Sequence, residues 1–135
     1  MNKSSTIILW TVKILAAIIL LQTLFFKFTA APESVEIFTR VGIEPYGRIG
    51  TGVLELIAAI LILIPSTAYL GAGLALGLML GAIGAHLVIL GVVVMDDGGQ
   101  LFIYAVLVAI SAAIILWFER EKITAILNRF LFKKG

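Results

Sequence analysis

The sequence predicts an all-α integral membrane protein: a four-transmembrane-helix bundle with both termini in the cytoplasm. A short amphipathic element follows the first helix, and an amphipathic basic helix ends the chain. Three observations carry this expectation. The 135 residues are 61% hydrophobic and only 13% charged, against roughly 45–50% and about 25% in ordinary soluble domains. Mean hydropathy is +1.16, which is more apolar surface than so small a globule can bury. Four apolar runs, separated by turn-forming residues, recur along the chain, and runs of about 20 apolar residues span a bilayer.

The first run is 7–28, "IILWTVKILAAIILLQTLFFKF". At 1.5 Å per residue it rises roughly 33 Å, enough to cross. It reads as a retained helix and not as a cleaved signal peptide, because it is too long and Lys13 and Lys27 interrupt it. "PESVEIFTRVG" follows, with Val35, Phe38 and Val41 near one helical face and Glu33, Glu36 and Arg40 elsewhere. The second span is 49–64, with "EPYGR" before it at the interface. "IPST" breaks the chain there, and Ser66 or Thr67 is the expected N-cap of the next helix. The third span, 67–94, is longer than a crossing needs and must tilt, kink or protrude. "MDDGG" is a turn, and 101–118 is the fourth span.

These spans define a transmembrane domain over 1–118, followed by a cytoplasmic tail over 119–135. The tail places Ile123, Ile126, Leu127, Phe130 and Leu131 at helical spacing with a basic remainder. It reads either as a surface helix on anionic headgroups or as a basic tail that only sets topology. Four spans put both termini on one side. That side holds Lys3, Lys13, Arg120, Lys122, Arg129, Lys133 and Lys134; the other holds Lys27, Arg40 and Arg48. Seven basic residues against three favour cytoplasmic termini.

Composition removes several kinds of chemistry. There are no cysteines and one histidine, so disulfides, iron–sulfur clusters, thiolate zinc sites, thiol redox chemistry and bis-histidine haem are excluded on this chain. No metal site is expected. A net charge of +2 gives no reason to expect nucleic acid. In the third span Gly73, Gly77 and Gly81 stand four apart, a spacing that lets helix backbones approach closely in lipid.

The polar residues inside the spans are the candidates for function, since each is costly in hydrocarbon unless paired or facing a wet cavity. With the expected topology, Gln22 lies roughly 7–8 Å deeper than Lys27, and His86 roughly 13 Å below the outer surface. Glu55, Gln100 and Tyr104 fall in the same outer half. Four helices contribute to this group, while the inner half has little beyond Lys13, which can snorkel inward. Lys27 and Glu55 are expected ion-pair partners, and His86 is within reach of donating to Glu55 or accepting from Tyr104. Such a pocket suits a quinone head group, a small polar solute or a proton relay. In the alternative, Lys27 snorkels to the surface while Glu55 and His86 only tie helices together.

With these residues in view, the chain resembles the DoxX family of small four-helix bacterial membrane proteins over about 7–118. The resemblance rests on the lysine closing the first span in "LFFKFTAAPESVEIF", the "VGIEP" element and the glutamate in "GTGVLELIAAILILIP". It also rests on "GAIGAHLVIL" and on "DDGGQLFIYAVLV". It implies a multi-pass protein of the bacterial inner membrane, linked to membrane oxidoreductases and quinone-linked chemistry, with Lys27, Glu55 and His86 as its family-like polar residues. Branches that use cysteines for thiol chemistry are not matched. The resulting expectation is a subunit, non-catalytic on its own or quinone-associated, of a membrane redox assembly. A small-molecule carrier, or an assembly protein without a ligand, are the alternatives. Partner subunits or further copies of the chain are the expected protein contacts, beside the lipid bilayer.

Overall fold

A computed structural model describes residues 2–132. Lys133 and Lys134, counted above in the basic tail, lie outside the described residues. The chain forms α1 (Lys3–Phe28), α2 (Pro32–Val41), α3 (Tyr46–Leu63), α4 (Ala68–Ala85), α5 (Gln100–Phe118) and α6 (Arg120–Leu131). A π-helical segment, His86–Leu90, continues α4. Helices α1, α3, α5 and α4 with its π extension are each long and apolar enough to cross a membrane.

The helices form a closed ring. α1 packs on α3, α3 on α4, α4 on α5, and α5 back on α1. Their shared core is dominated by alanine: Ala16, Ala58, Ala72, Ala75 and Ala112 are all fully buried, with Leu20, Ile62 and Ile115 between them. Small core residues let the backbones come close, and lipid covers the large side chains outside. Ile7, Ile18, Ile60 and Ile110 accordingly face outward, each at least half exposed.

The glycine row of α4 does not make the expected close contact within the chain. A Cβ on Gly73, Gly77 or Gly81 would meet nothing within 4 Å. The close approach is at Gly71, where a Cβ would stand 2.6 Å from the Ile62 nitrogen and 2.7 Å from the Ala58 carbonyl oxygen. The reason is helical phase. Gly71 shares its face with the buried Ala68, Ala72, Ala75 and Met79, whereas Gly73 lies two residues, about 200°, around the helix.

Three boundaries differ from the expected ones. α3 begins at Tyr46 instead of Ile49, so Arg48 is helical and buried. Thr67 does not cap α4 with its side chain. Its hydroxyl turns back to the carbonyls of Leu61 at 3.0 Å and Ile64 at 3.3 Å, the last acceptors of α3. The long third span ends at Leu90, where Gly91 takes φ 79° and ψ 169°, a conformation essentially confined to glycine.

Both amphipathic elements are helical. α2 turns Phe38 and Val41 of its expected apolar face toward the cavity, together with Ser34 and Ile37, while Val35 does not line it. α6 buries none of its residues and leaves Leu127, Phe130 and Leu131 exposed. Lys122 anchors its start by donating to the Pro65 carbonyl at 3.3 Å, beside the α3–α4 turn. Lys13 is not extended to the surface. It is 1% exposed, with Nζ 4.6 Å from the Trp10 ring centroid, a cation–π distance.

Candidate functional site

At the α2 end the four spans part around a cavity of about 340 Å³. Its walls are mostly aliphatic and aromatic. Lys27, Glu55, His86 and Tyr104 line it, and so do Thr23, Ser34 and Thr51. Gln22 and Gln100 are not on it. They line a smaller adjoining cavity of about 170 Å³ that shares Tyr104 and Ser34 with the first. Gly77 and Gly81 leave part of the α4 wall without side chains.

The charged pair is direct. Lys27 Nζ lies 2.9 Å from Glu55 Oε1, with side-chain exposures of 14% and 2%. Lys27 therefore folds back to Glu55 and does not snorkel away. The Thr23 hydroxyl lies 3.0 Å from Glu55 Oε2 and 3.0 Å from the Leu20 carbonyl, and shares its one proton between them, so each carboxylate oxygen has a donor within reach, as a buried charge requires. Thr23 stands four residues before Lys27, and Thr51 four before Glu55. That spacing places each pair on one helix face. It is the signal by which these hydroxyls are findable in the sequence.

His86 makes neither of its expected bonds. Its Nδ1 lies 3.0 Å from the Gly91 carbonyl oxygen, and its ring meets Phe102 edge-on at 5.6 Å. The cause is local. The π segment and the turn at Gly91 bring that carbonyl within hydrogen-bond reach of Nδ1. Tyr104 instead accepts from Gln100 Nε2 at 2.7 Å.

Two arginines fix the rim. Arg48 pairs with Glu44 at 2.8 Å and donates to the Lys27 carbonyl, capping α1. Arg40 donates to the carbonyls of Ile89 at 2.8 Å and Leu90 at 3.3 Å, joining α2 to the π segment. Both satisfy helix-end carbonyls that have no partner in their own helix. They hold Lys27 and His86 in place from outside the cavity, a role their sequence positions did not reveal.

Asp97 organises the turn into α5. Its Oδ1 accepts from the Val94 and Gly99 amides at 3.0 and 2.8 Å, and Oδ2 from the Leu101 amide at 3.3 Å. Burial alone would raise this carboxyl. The three amides, with nearby His86 acting the same way, outweigh burial and hold it below its ordinary value of 3.8. A carboxyl with a lowered folded value stabilises the fold above the ordinary value, and that contribution is lost as pH falls through the lowered one. Asp97→Ala is thus expected to cost about 1–2 kcal/mol at neutral pH. The gap from wild type should close as acid protonates Asp97, in denaturation series followed from pH ~7 down to ~2.

Among the described residues, no group of three or more His, Asp or Glu is placed to hold a metal ion. No curated protein and no solved structure matches the chain. Residues 11–114, from the first span through most of α5, match the DoxX-like family. That stretch takes in α3 and α4 whole, most of α1 and α5, and the cavity between them, and the chain belongs to the DoxX-like family of membrane proteins.

Proposed function

We propose that this protein is an accessory subunit of a redox assembly in the bacterial inner membrane, and that its cavity holds a quinone. The observation that carries the reading is the cavity's composition: about 340 Å³ of mostly apolar space with Lys27, Glu55, His86 and Tyr104 on its wall. Small-molecule sites have this size and this mixture of apolar wall and few polar groups. The other half of the bundle is a closed core, with Ala58, Ile62, Ala72, Ala112 and Ile115 each 0% exposed. That arrangement favours a pocket with one mouth over the path a carrier needs.

Quinone is expected to co-purify with the protein from bacterial membranes, measured by solvent extraction and mass spectrometry. Gly81→Leu puts a side chain on the cavity wall where a Cβ meets nothing within 4 Å. It should fold normally and lose most of that quinone. Gly73→Leu has equal room but lies off the cavity, and should keep it. Protein mass spectrometry of the same preparation identifies the partner subunits. A wild type with no more quinone than an unrelated membrane protein in the same detergent ends this reading.

A second reading has its own support. The Lys27–Glu55 bond joins α1 to α3 directly, so the polar group also serves as interhelical glue. That reading predicts loss of packing in Lys27 and Glu55 variants without any change in bound small molecules.

A further inference from the structure

We propose that His86 makes the cavity selective for a ligand that donates a hydrogen bond, so that it takes a hydroxyl-bearing quinol in preference to the corresponding quinone. The inference rests on the quinone reading of the cavity and adds the form that binds.

The argument starts from the imidazole. A carbonyl oxygen can only accept, so the 3.0 Å contact between Nδ1 and the Gly91 carbonyl requires the proton to be on Nδ1. In the neutral ring Nε2 is then a bare acceptor. The ring cannot readily turn to exchange the two nitrogens. Phe102 packs edge-on against it, and Gly91 is held at the end of the π segment. Nε2 has no hydrogen-bond partner among the described residues, and it is not among the buried polar atoms sealed off without one. It therefore opens onto free volume, and His86 lines the cavity.

The remaining polar groups do not discriminate in this way. Lys27 and the Tyr104 hydroxyl are donors on the cavity wall, and both a quinone carbonyl and a quinol hydroxyl accept. The acceptor oxygens of Glu55 are engaged by Lys27 and Thr23. Glu55 thus already has a donor on each oxygen, whereas Nε2 has none among the described residues and relies on the ligand to supply one. A quinol answers it, whereas a quinone carbonyl would set lone pair against lone pair. Leaving a buried polar atom without its partner is the larger part of such discrimination.

The test uses the purified full-length protein in detergent, with a short-chain benzoquinone and its benzoquinol as probes. The quinol is expected to bind about tenfold more tightly than the quinone. His86→Asn keeps an amide N–H able to reach the Gly91 carbonyl, while its shorter side chain leaves the amide oxygen near the backbone and no acceptor at the Nε2 position. It should bring the ratio close to one by weakening the quinol alone. Equal binding of the two forms to wild type, or a ratio unchanged in His86→Asn, overturns the selectivity while leaving the cavity a quinone site. Binding of neither form removes the quinone reading and this inference with it. If His86→Asn fails to fold, the wild-type ratio decides by itself.

Discussion

Lys27→Met is expected to destabilise the bundle by about 3 kcal/mol, and to do so more severely than Glu55→Leu. The two ends of the ion pair are not equivalent. Glu55 is 1% exposed, two turns inside α3. Without Lys27 its carboxylate keeps only the Thr23 hydroxyl. It must then take up a proton or draw in water, and either is costly in a low-dielectric site. Lys27 is in the last turn of α1, with a side chain already 14% exposed. Without Glu55 its flexible stem can carry the ammonium to the headgroup region. The double variant Lys27→Met/Glu55→Leu removes both charges and should recover much of the single loss. Denaturation of all four proteins in one detergent measures these costs and their coupling. Equal single effects that simply add would show that the pair does not act as a buried unit.

Gly71→Val should be about as damaging, for a steric reason. The new Cβ would sit 2.6 Å from the Ile62 nitrogen and 2.7 Å from the Ala58 carbonyl oxygen. Both are backbone atoms of α3, so no rotamer change relieves the contact. α3 and α4 are tied by the short turn 64–67 and must separate along their length. Overpacking of this kind costs about 3 kcal/mol or more. Gly73→Ala, two residues on, meets nothing within 4 Å. It should be neutral or gain up to about 1 kcal/mol from helix propensity. Thermal unfolding of the two variants beside wild type checks the contrast. A mild Gly71→Val phenotype would argue against a rigid backbone contact between α3 and α4 at Gly71.

The depth of the candidate site was legible in the sequence, and its azimuth was not. A fixed rise per residue places Gln22, Lys27, Glu55, His86 and Tyr104 in one half of the bundle. It does not say which way each side chain points. Gln22 and Thr23 are neighbours at one depth, but about 100° of rotation separates them. Thr23 faces Glu55 in the larger cavity, and Gln22 is exposed at the smaller one. The same rotation explains why spacing singled out Gly73, Gly77 and Gly81, while the close contact belongs to Gly71. The arginines were invisible as rim residues because the bonds that tie them to other helices go to the carbonyls of Lys27, Ile89 and Leu90, backbone groups with no sequence signature; only the local Arg48–Glu44 pair has a readable spacing.

By itself the sequence determined the number of spans, their antiparallel order, the amphipathic helices and the family. These follow from hydropathy, helix length and turn residues, which act locally along the chain. Only the tertiary structure decided which polar groups meet. It paired Lys27 with Glu55 and joined His86 Nδ1 to the Gly91 carbonyl. It also left a cavity where α4 carries glycine in place of side chains. Those outcomes depend on the rotation of each helix about its axis and on where helix-end carbonyls find donors. Both are set by packing between segments far apart in the chain.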